Sequence, residues 1–331
     1  MLDRDALLDC LRAALERRRA WLPLREAEGT DAYRLLHGAT EGAPGVAIDR
    51  YGPILLVQTW REPLPEGALE ALRALAEDAL GVGLHPVWNH RARPVDFARW
   101  HPVSPPAEPV CRELGLRYDA RPRHRGQDPL LFLDLRVLRR RVLAESAGKS
   151  VLNCFAYTCG IGVAAARAGA LAVWNVDFAA SALEVGRRNL ALNGLAGAPV
   201  EHLMRDCLST LRQLAGLPPG RDRGGPRLPP RRFDLVVLDP PRWSTSRHGA
   251  VDLVRDYPSL FKPAVLIAAP GGVVAATNNA AQVDRDAWLE ILERAARKAG
   301  RPLASLEVME PEADFPSPDG RPPLKIAWCR L

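Results

Sequence analysis

Lysine is nearly missing from this chain. It occurs only at positions 149, 262, 298 and 325, so almost all of the 45 Lys and Arg residues are arginine. Long apolar runs are also missing. None reaches the roughly 18–20 residues that a membrane-spanning helix needs, and no membrane partner is expected. The N-terminus, broken by charges every few residues, lacks the continuous apolar stretch of a secretory signal and reads as cytoplasmic. Cysteines number 6, at 10, 111, 154, 159, 207 and 329, with no CxxC pair. That excludes the usual zinc and redox spacings and predicts reduced, mostly buried thiols. The 7 histidines show no ligand spacing either, so no metal site is expected. The dinucleotide fingerprint GxGxxG is absent, which disfavours a nicotinamide cofactor.

What remains is an ordinary globular balance, 47% hydrophobic and 25% charged over 331 residues, enough for two domains with real cores. The net charge of +6 makes a polyanion a plausible partner. Part of that surplus belongs to a general bias toward Arg, Ala, Pro and Gly.

Residues 5–20 carry Leu7, Leu8, Leu11, Ala14 and Leu15 at helical spacing. Short strands follow over 32–36, 46–49 and 54–57, joined by Gly/Pro turns, then a helix over 66–80. The Pro-rich stretch 101–109 reads as a linker, and a boundary is expected near 112. This defines an α+β domain over 1–112 and a second domain over 113–331. In the second, apolar strands open at Val151, Ala172, Val200, Phe233 and Gly272. Helical segments lie between them at 162–168, 180–192, 208–214 and 254–268. Such alternation predicts an α/β fold with a mostly parallel sheet covered on both faces. The Pro-, Gly- and Arg-rich stretch 216–232 is expected to be an exposed, mobile loop.

In that fold, ligands bind beyond the carboxyl ends of the strands where strand order reverses. The first tip carries Asn153-Cys154-Phe155-Ala156-Tyr157-Thr158-Cys159-Gly160-Ile161-Gly162, whose glycines permit tight turns and close approach. The second ends at Asp177, suited to a ribose diol because a carboxylate accepts both hydroxyl protons. The third ends at Asp206-Cys207, the fourth at Asp239-Pro240-Pro241-Arg242-Trp243. Asp177 and Asp206 are equally compatible with helix N-caps, and Asp-Pro-Pro with a rigid turn.

Together these residues resemble the class I S-adenosylmethionine (SAM)-dependent methyltransferases, and more narrowly the bacterial large-subunit (23S) rRNA base methyltransferases. Both the cytosine-C5 and the guanine-N7 branches are relevant. The resemblance rests on Phe132-Leu133-Asp134-Leu135-Arg136, on 152–158 with Gly160, on Asp177, Asn189 and Asn193, and on Asp239-Pro240-Pro241. The run Tyr33-Arg34-Leu35, with Gly45-Val46-Ala47-Ile48-Asp49-Arg50-Tyr51-Gly52, is similar to the small domain of the cytosine branch. The resemblance covers about 30–331. It implies a Rossmann-like class I fold with a seven-stranded sheet, preceded by a smaller, RNA-positioning domain. It further implies SAM bound by Asn153, Phe155, Ala156, Tyr157, Thr158 and Gly160 at the methionine part, by Asp177 and Phe178 at the ribose, and by Asp206 and Cys207 at the adenine. Asp239 and Pro240 would face the methyl group, and Asp134 and Arg136 would close the pocket. Cys159 stands where the family commonly has Gly.

The target atom can be weighed from chemistry. Cytosine C5 needs a Cys thiolate added at C6. The place where the cytosine branch carries that Cys reads Thr277-Asn278-Asn279-Ala280, and the position after Pro-Pro holds Arg242. Cys329, near the end of the last strand, stays open. Guanine N7 attacks a methyl directly and needs only positioning. Asn278 and Asn279 could orient its edge and Trp243 stack on its face, although Asn-Asn is also a good strand-end turn and Trp243 a good packed loop aromatic. The guanine-N7 branch has Asn-Asn there, and a stretch like Ser244, Ser246, Arg247, Arg255 and Asp256.

The expected activity is therefore methylation of 23S rRNA or its precursor at guanine N7. The alternatives are cytosine C5 in RNA, N-methylation of a protein or small molecule, and a noncatalytic SAM-binding ribosome-assembly factor. Two patches are candidates for RNA contact: Arg121, Arg123, His124, Arg125, Arg136, Arg139, Arg140 and Arg141, and Arg91, Arg93 and Arg99 with Trp88, Phe97 and Trp100. Either could equally be a solvated face. The additional RNA-binding domain often found ahead of the cytosine branch is not in this chain, so substrate selection is expected to rest on these surfaces.

Overall fold

The computed structural model describes residues 2–91, 98–100, 106–122, 128–218, 226–241, 243–246, 249–252 and 256–331. For 98–100, 243–246 and 249–252 only the backbone is described. The chain divides into two compact units, 1–136 with 311–320, and 137–310 with 321–331.

The first unit opens with helix α1 (Arg4–Arg18), capped by the Asp3 side chain, which accepts from Ala6 N. A short helix α2 (Leu22–Ala27) leads to strands β1 (Ala32–His37), β2 (Val46–Tyr51) and β3 (Ile54–Thr59). Helix α3 (Ala68–Leu80), strand β4 (His85–His90) and strand β5 (Ala98–Trp100) complete a five-stranded sheet in chain order, in which only β3 and β4 run parallel. Leu7, Leu11 and Leu15 of α1 and Leu72 of α3 pack on Leu35, Ile48 and Val57, the apolar face that the helical spacing anticipated.

A hairpin, β6 (Val110–Glu113) and β7 (Leu116–Asp119), follows. It corrects the expected boundary at 112. Asp31 N donates to Arg112 O, the Asp31 carboxylate accepts from Arg112 N, and Tyr51 Oη donates to Leu131 O. The segment up to 136 therefore belongs to the first unit.

That unit encloses a charge network. Arg136 is fully buried and reaches Asp314 at 3.0 Å, Glu312 at 3.0 Å and Glu113 at 3.4 Å. The second oxygen pattern of Asp314 includes the Arg34 amide, and its carbonyl accepts from Arg18. Burial alone would make the Arg136 guanidinium less basic, but Asp314 and Glu113 outweigh it and hold it above the ordinary value.

The second unit contains helix α4 (Arg136–Glu145, from 137 on), then β8 (Ser150–Cys154), α5 (Gly160–Arg167), β9 (Ala172–Asp177), α6 (Ala180–Leu192), β10 (Val200–Met204) and α7 (Cys207–Leu214). Next come β11 (Phe233–Leu238), a hairpin of β12 (Trp243–Ser246) and β13 (Gly249–Asp252), α8 (Tyr257–Ile267) and β14 (Ala268–Asn278). Helix α9 (Arg285–Lys298), β15 (Ser305–Met309) and β16 (Lys325–Arg330) close it. The sheet order is β10-β9-β8-β11-β14-β16-β15. The first five strands are parallel, and β16 is antiparallel to both of its neighbours. The expected seven-stranded Rossmann-like sheet is thus present. Leu152, Val236, Leu238, Val274, Phe261 and Trp288 lie in one core cluster formed by strands and helices together. Among the described residues no helix is long and apolar enough to cross a membrane, and no cluster of His, Cys, Asp or Glu could hold a metal ion.

Replacing Arg136 by Leu would leave Glu113 and Asp314 as buried carboxylates without their cation. A loss of about 3–5 kcal/mol in denaturant unfolding is expected. Removing the exposed Arg187, which pairs only with exposed Glu184, should change stability by less than about 0.5 kcal/mol.

Candidate active site

Strand order reverses at β8: the chain steps outward through β9 and β10, then returns to β11 on the other side. The tips of β8 and β11 therefore bound a crevice. Asn153, next to last in β8, is buried and donates from Nδ2 to Asn175 Oδ1 at 2.9 Å. Gly162 lies against the same amide, and a Cβ there would sit 2.2 Å from Asn175 Oδ1. That closeness, more than turn flexibility, requires glycine at 162.

The loop after β8 carries three non-glycine residues in the left-handed region: Phe155 (φ 59°), Tyr157 (φ 46°) and Cys159 (φ 61°). Such residues cost free energy and persist only where the surroundings over-determine them. Here Ala156 N donates to Val176 O at 3.0 Å, Cys159 N to Ala156 O at 2.7 Å, and Asn189 Nδ2 to the Thr158 carbonyl at 3.0 Å. Phe155 N meets Cys207 Sγ at 3.1 Å. Thus Cys207 is a buried brace between loop and helix, while Asn189 ties α6 to the loop.

Asp177, at the tip of β9, is the loop's other anchor. Its Oδ2 accepts from Tyr157 N at 2.9 Å and its Oδ1 from Ala179 N at 2.8 Å. Burial raises its pKa above the ordinary value, and the backbone amides oppose this only in part. Next to it the Phe178 side chain is 56% exposed. A buried carboxylate with one amide on each oxygen keeps further lone pairs for hydroxyl donors, and an exposed ring beside it offers an apolar face. These features suit a ribose diol and its nucleoside. Asp206 caps α7 by accepting from Ser209 N at 2.8 Å, so the capping reading of this residue holds.

Across the crevice, Asp239 follows β11. Its Oδ1 accepts from Thr277 Oγ1 at 2.5 Å, and Tyr257 Oη donates to the Thr277 carbonyl at 2.8 Å. Sequence reading quoted Thr277 without a role. Its signal lay in its place at the tip of β14, the neighbour of β11. Asn278 is fully buried, and its Oδ1 accepts from Ala280 N at 2.9 Å, while its Nδ2 has no acceptor among the described residues. Asn279 is exposed, Pro240 buried and Pro241 exposed.

Other expected positions fall elsewhere. Asp134 and Arg136 belong to the first unit. There the Arg136 guanidinium meets Asp314, Glu312 and Glu113. Arg242, Arg247 and Arg255, and the side chains of Trp243, Ser244 and Ser246, lie outside the described residues. So do Arg93, Phe97, Arg123, His124, Arg125, much of the 216–232 loop, and the side chains of Arg99 and Trp100.

Among the described residues, most of the remaining arginines of these patches are partnered or buried. Arg121 bonds Asp119, Arg139 is buried, and Arg141 pairs with Glu145 and Glu307. Arg91 bonds Gln58 and Asp128 and stacks on Trp60, and Trp88 Nε1 donates to Thr59. The cysteines are free, with Cys10 half-buried and the other five buried. Cys329 pairs with Val274 within the sheet, and burial pushes its thiol up to about 12. Burial likewise raises Cys159 and Cys207, with Asp177 and Cys154 respectively adding to it.

A switch-point crevice with acidic residues at successive strand tips, one of them a buried carboxylate, is the arrangement of a doubly wound nucleotide-binding fold. The profile of the S-adenosylmethionine-dependent methyltransferase family matches residues 33–330. Ribosomal RNA large subunit methyltransferase I of Klebsiella pneumoniae is 31% identical over 95% of this chain and 77% of its own length. The ribosomal RNA large subunit methyltransferase of Deinococcus radiodurans is 33% identical over 88% and 70%. In fold, the chain is similar to a structure assigned as a SAM-dependent methyltransferase from Streptococcus mutans. That match has a TM-score of 0.79 and 21% identity, over 100% of this chain and 82% of that one. The chain belongs to the S-adenosylmethionine-dependent methyltransferases, and SAM is its cofactor.

Because burial raises the Asp177 pKa, protonation sets in at a higher pH than for an ordinary Asp, which titrates near about 3.9. SAM affinity measured by calorimetry should therefore begin to fall while pH is still above about 4. Asp177→Asn should bind SAM about 10- to 100-fold more weakly and lose this pH dependence.

Proposed function

We propose that the protein methylates large-subunit ribosomal RNA at N7 of a guanine, by direct in-line transfer. The substrate class follows the two curated relatives, which are similar over most of this chain. The observation that carries the target atom is the state of the thiols. At the tip of β14 Thr277, Asn278 and Asn279 stand where the cytosine branch carries its cysteine, and Arg242 holds the position after Pro-Pro. Cys154, Cys159, Cys207 and Cys329 are all buried, and burial raises the pKa of the last three. A thiolate attack on cytosine C6 would need one of them to be uncovered and ionised.

The bound cofactor supplies an electrophilic methyl on a sulfonium. Guanine N7 has an in-plane lone pair and no proton, so the chain needs no general base. It must hold the purine edge in line and exclude water. The exposed Asn279 amide suits guanine O6, an acceptor next to N7, and the buried Asn278 shapes the turn that presents it by accepting from Ala280 N. The ring becomes cationic as the methyl arrives. The Asp239 carboxylate, fixed by the Thr277 hydroxyl, supplies a preorganised negative group on that side of the crevice.

The cytosine-C5 reading is favoured by the 33–35 and 45–52 segments, which resemble that branch and form β1 and β2 with the turns beside them. It requires one of the buried thiols to become exposed.

Incubating the protein with labelled SAM and rRNA lacking the modification, then identifying the methylated nucleoside by mass spectrometry, decides the matter. N7-methylguanosine is expected. Asn278→Ala should lower kcat about 10²-fold with SAM affinity retained. A covalent adduct with 5-fluorocytosine RNA would replace this reading with the thiolate one.

A further inference from the structure

Just beyond the Asn278–Asn279 turn the second unit has a cavity of about 210 Å³, lined by Asp284, Arg285, Arg321 and Lys325 among others. Lys325 is the notable member. It is the first residue of β16, paired with Asn278 across the sheet, and is 4% exposed. The other three lysines are not buried. In a chain so strongly biased toward arginine, a buried lysine at this spot stands against the composition.

An ammonium has three protons to give. Two go to the carbonyls of Ala280 at 3.0 Å and Pro323 at 2.9 Å. Among the described residues no carboxylate forms a salt bridge with it. Burial pulls its pKa below the ordinary value, and the Asp284 charge offsets this only in part. Asp284 is committed elsewhere, since it caps α9 by accepting from Ala287 N at 3.0 Å. Arg285 is answered by Glu310 at 2.6 Å and touches Asp286 at 3.6 Å. Arg321 is exposed at the rim. The walls thus carry three cationic side chains, of which Arg285 is answered by Glu310, and the buried Lys325 charge is held chiefly by carbonyl dipoles. Burying such a charge is costly unless an anion completes it.

The groups that approach Lys325 are the Ala280 and Pro323 carbonyls and the charge of Asp284, which caps α9 and forms no salt bridge with the ammonium, while Arg321 lines the same cavity. A tetrahedral, acceptor-only oxyanion fits that demand, and a compact ammonium beside a guanidinium fork is suited to phosphate.

We propose that this cavity is the subsite for a backbone phosphate of the RNA substrate, flanking the nucleotide presented at the Asn278–Asn279 turn. The proposal rests on the RNA reading above and deepens it. Lys325 would serve two ends at once: it fixes the Ala280 carbonyl, and so the turn, and it receives the phosphate.

The test is equilibrium binding of transcribed large-subunit rRNA by the full chain as a function of salt, with steady-state methylation and calorimetric SAM binding alongside. Arg321→Gln, on the surface, should raise KM for RNA, flatten the log–log salt slope by about one, and leave kcat and SAM affinity as they were. Arg321→Lys should restore the slope. Lys325→Met should flatten the slope as well and, through the turn, also lower kcat. If wild type binds rRNA with a steep slope while Arg321→Gln and Lys325→Met keep that affinity and slope, the subsite is wrong and the RNA reading stands. If wild type binds no rRNA, both fail together.

Discussion

The site depends on one buried carboxylate. Asp177 holds the amides of Tyr157 and Ala179 on its two oxygens, and so joins the loop after β8 to the start of α6. That loop contains three side-chain-bearing residues at positive φ, a conformation that a free chain of this composition would leave. Parallel strands alone bring their tips to one edge. The carboxylate adds a fixed loop shape at that edge. The same burial that makes Asp177 a good anchor makes it a reluctant anion. Positioning and proton affinity are coupled in one group.

Much of this was legible in sequence, for a definite reason. β8, β9, β11 and β14 are buried on both faces, so they appear as near-continuous apolar runs, and their tips are marked by polar residues such as Asn153, Asp177 and Asp239. β15 was not legible. It is an edge strand in which only Met309 is buried, and a half-solvated edge leaves little periodic signal. The β6–β7 hairpin was missed because its strands have four residues each. The boundary set at 112 consequently cut through it.

The site was read in the same uneven way. Tyr157 and Asn189, carried by a local motif, lie in and against the loop after β8. Thr277 and Lys325 depend on pairing across strands far apart in sequence, which no local pattern reveals. Arg136 shows the converse. A motif identified the residue, but its long-range partners, Asp314 and Glu312, lie more than 170 positions away. Only the fold shows that they meet it. Arg121, Arg139 and Arg141 repeat the lesson: a run of arginines in sequence is a charge pattern, and whether it is a surface depends on which carboxylates return to meet it.

Cys159 and Gly186 give the loop a different kind of constraint. The Cys159 sulfur occupies the space over α6 where a Cβ at 186 would come within 2.4 Å of it. The thiol is tolerated in the loop because the helix beneath gives up its side chain. The two positions therefore cannot drift independently in evolution. A lineage with glycine in the loop is free to acquire alanine on the helix, whereas one that keeps a cysteine there inherits a bare helix face with it.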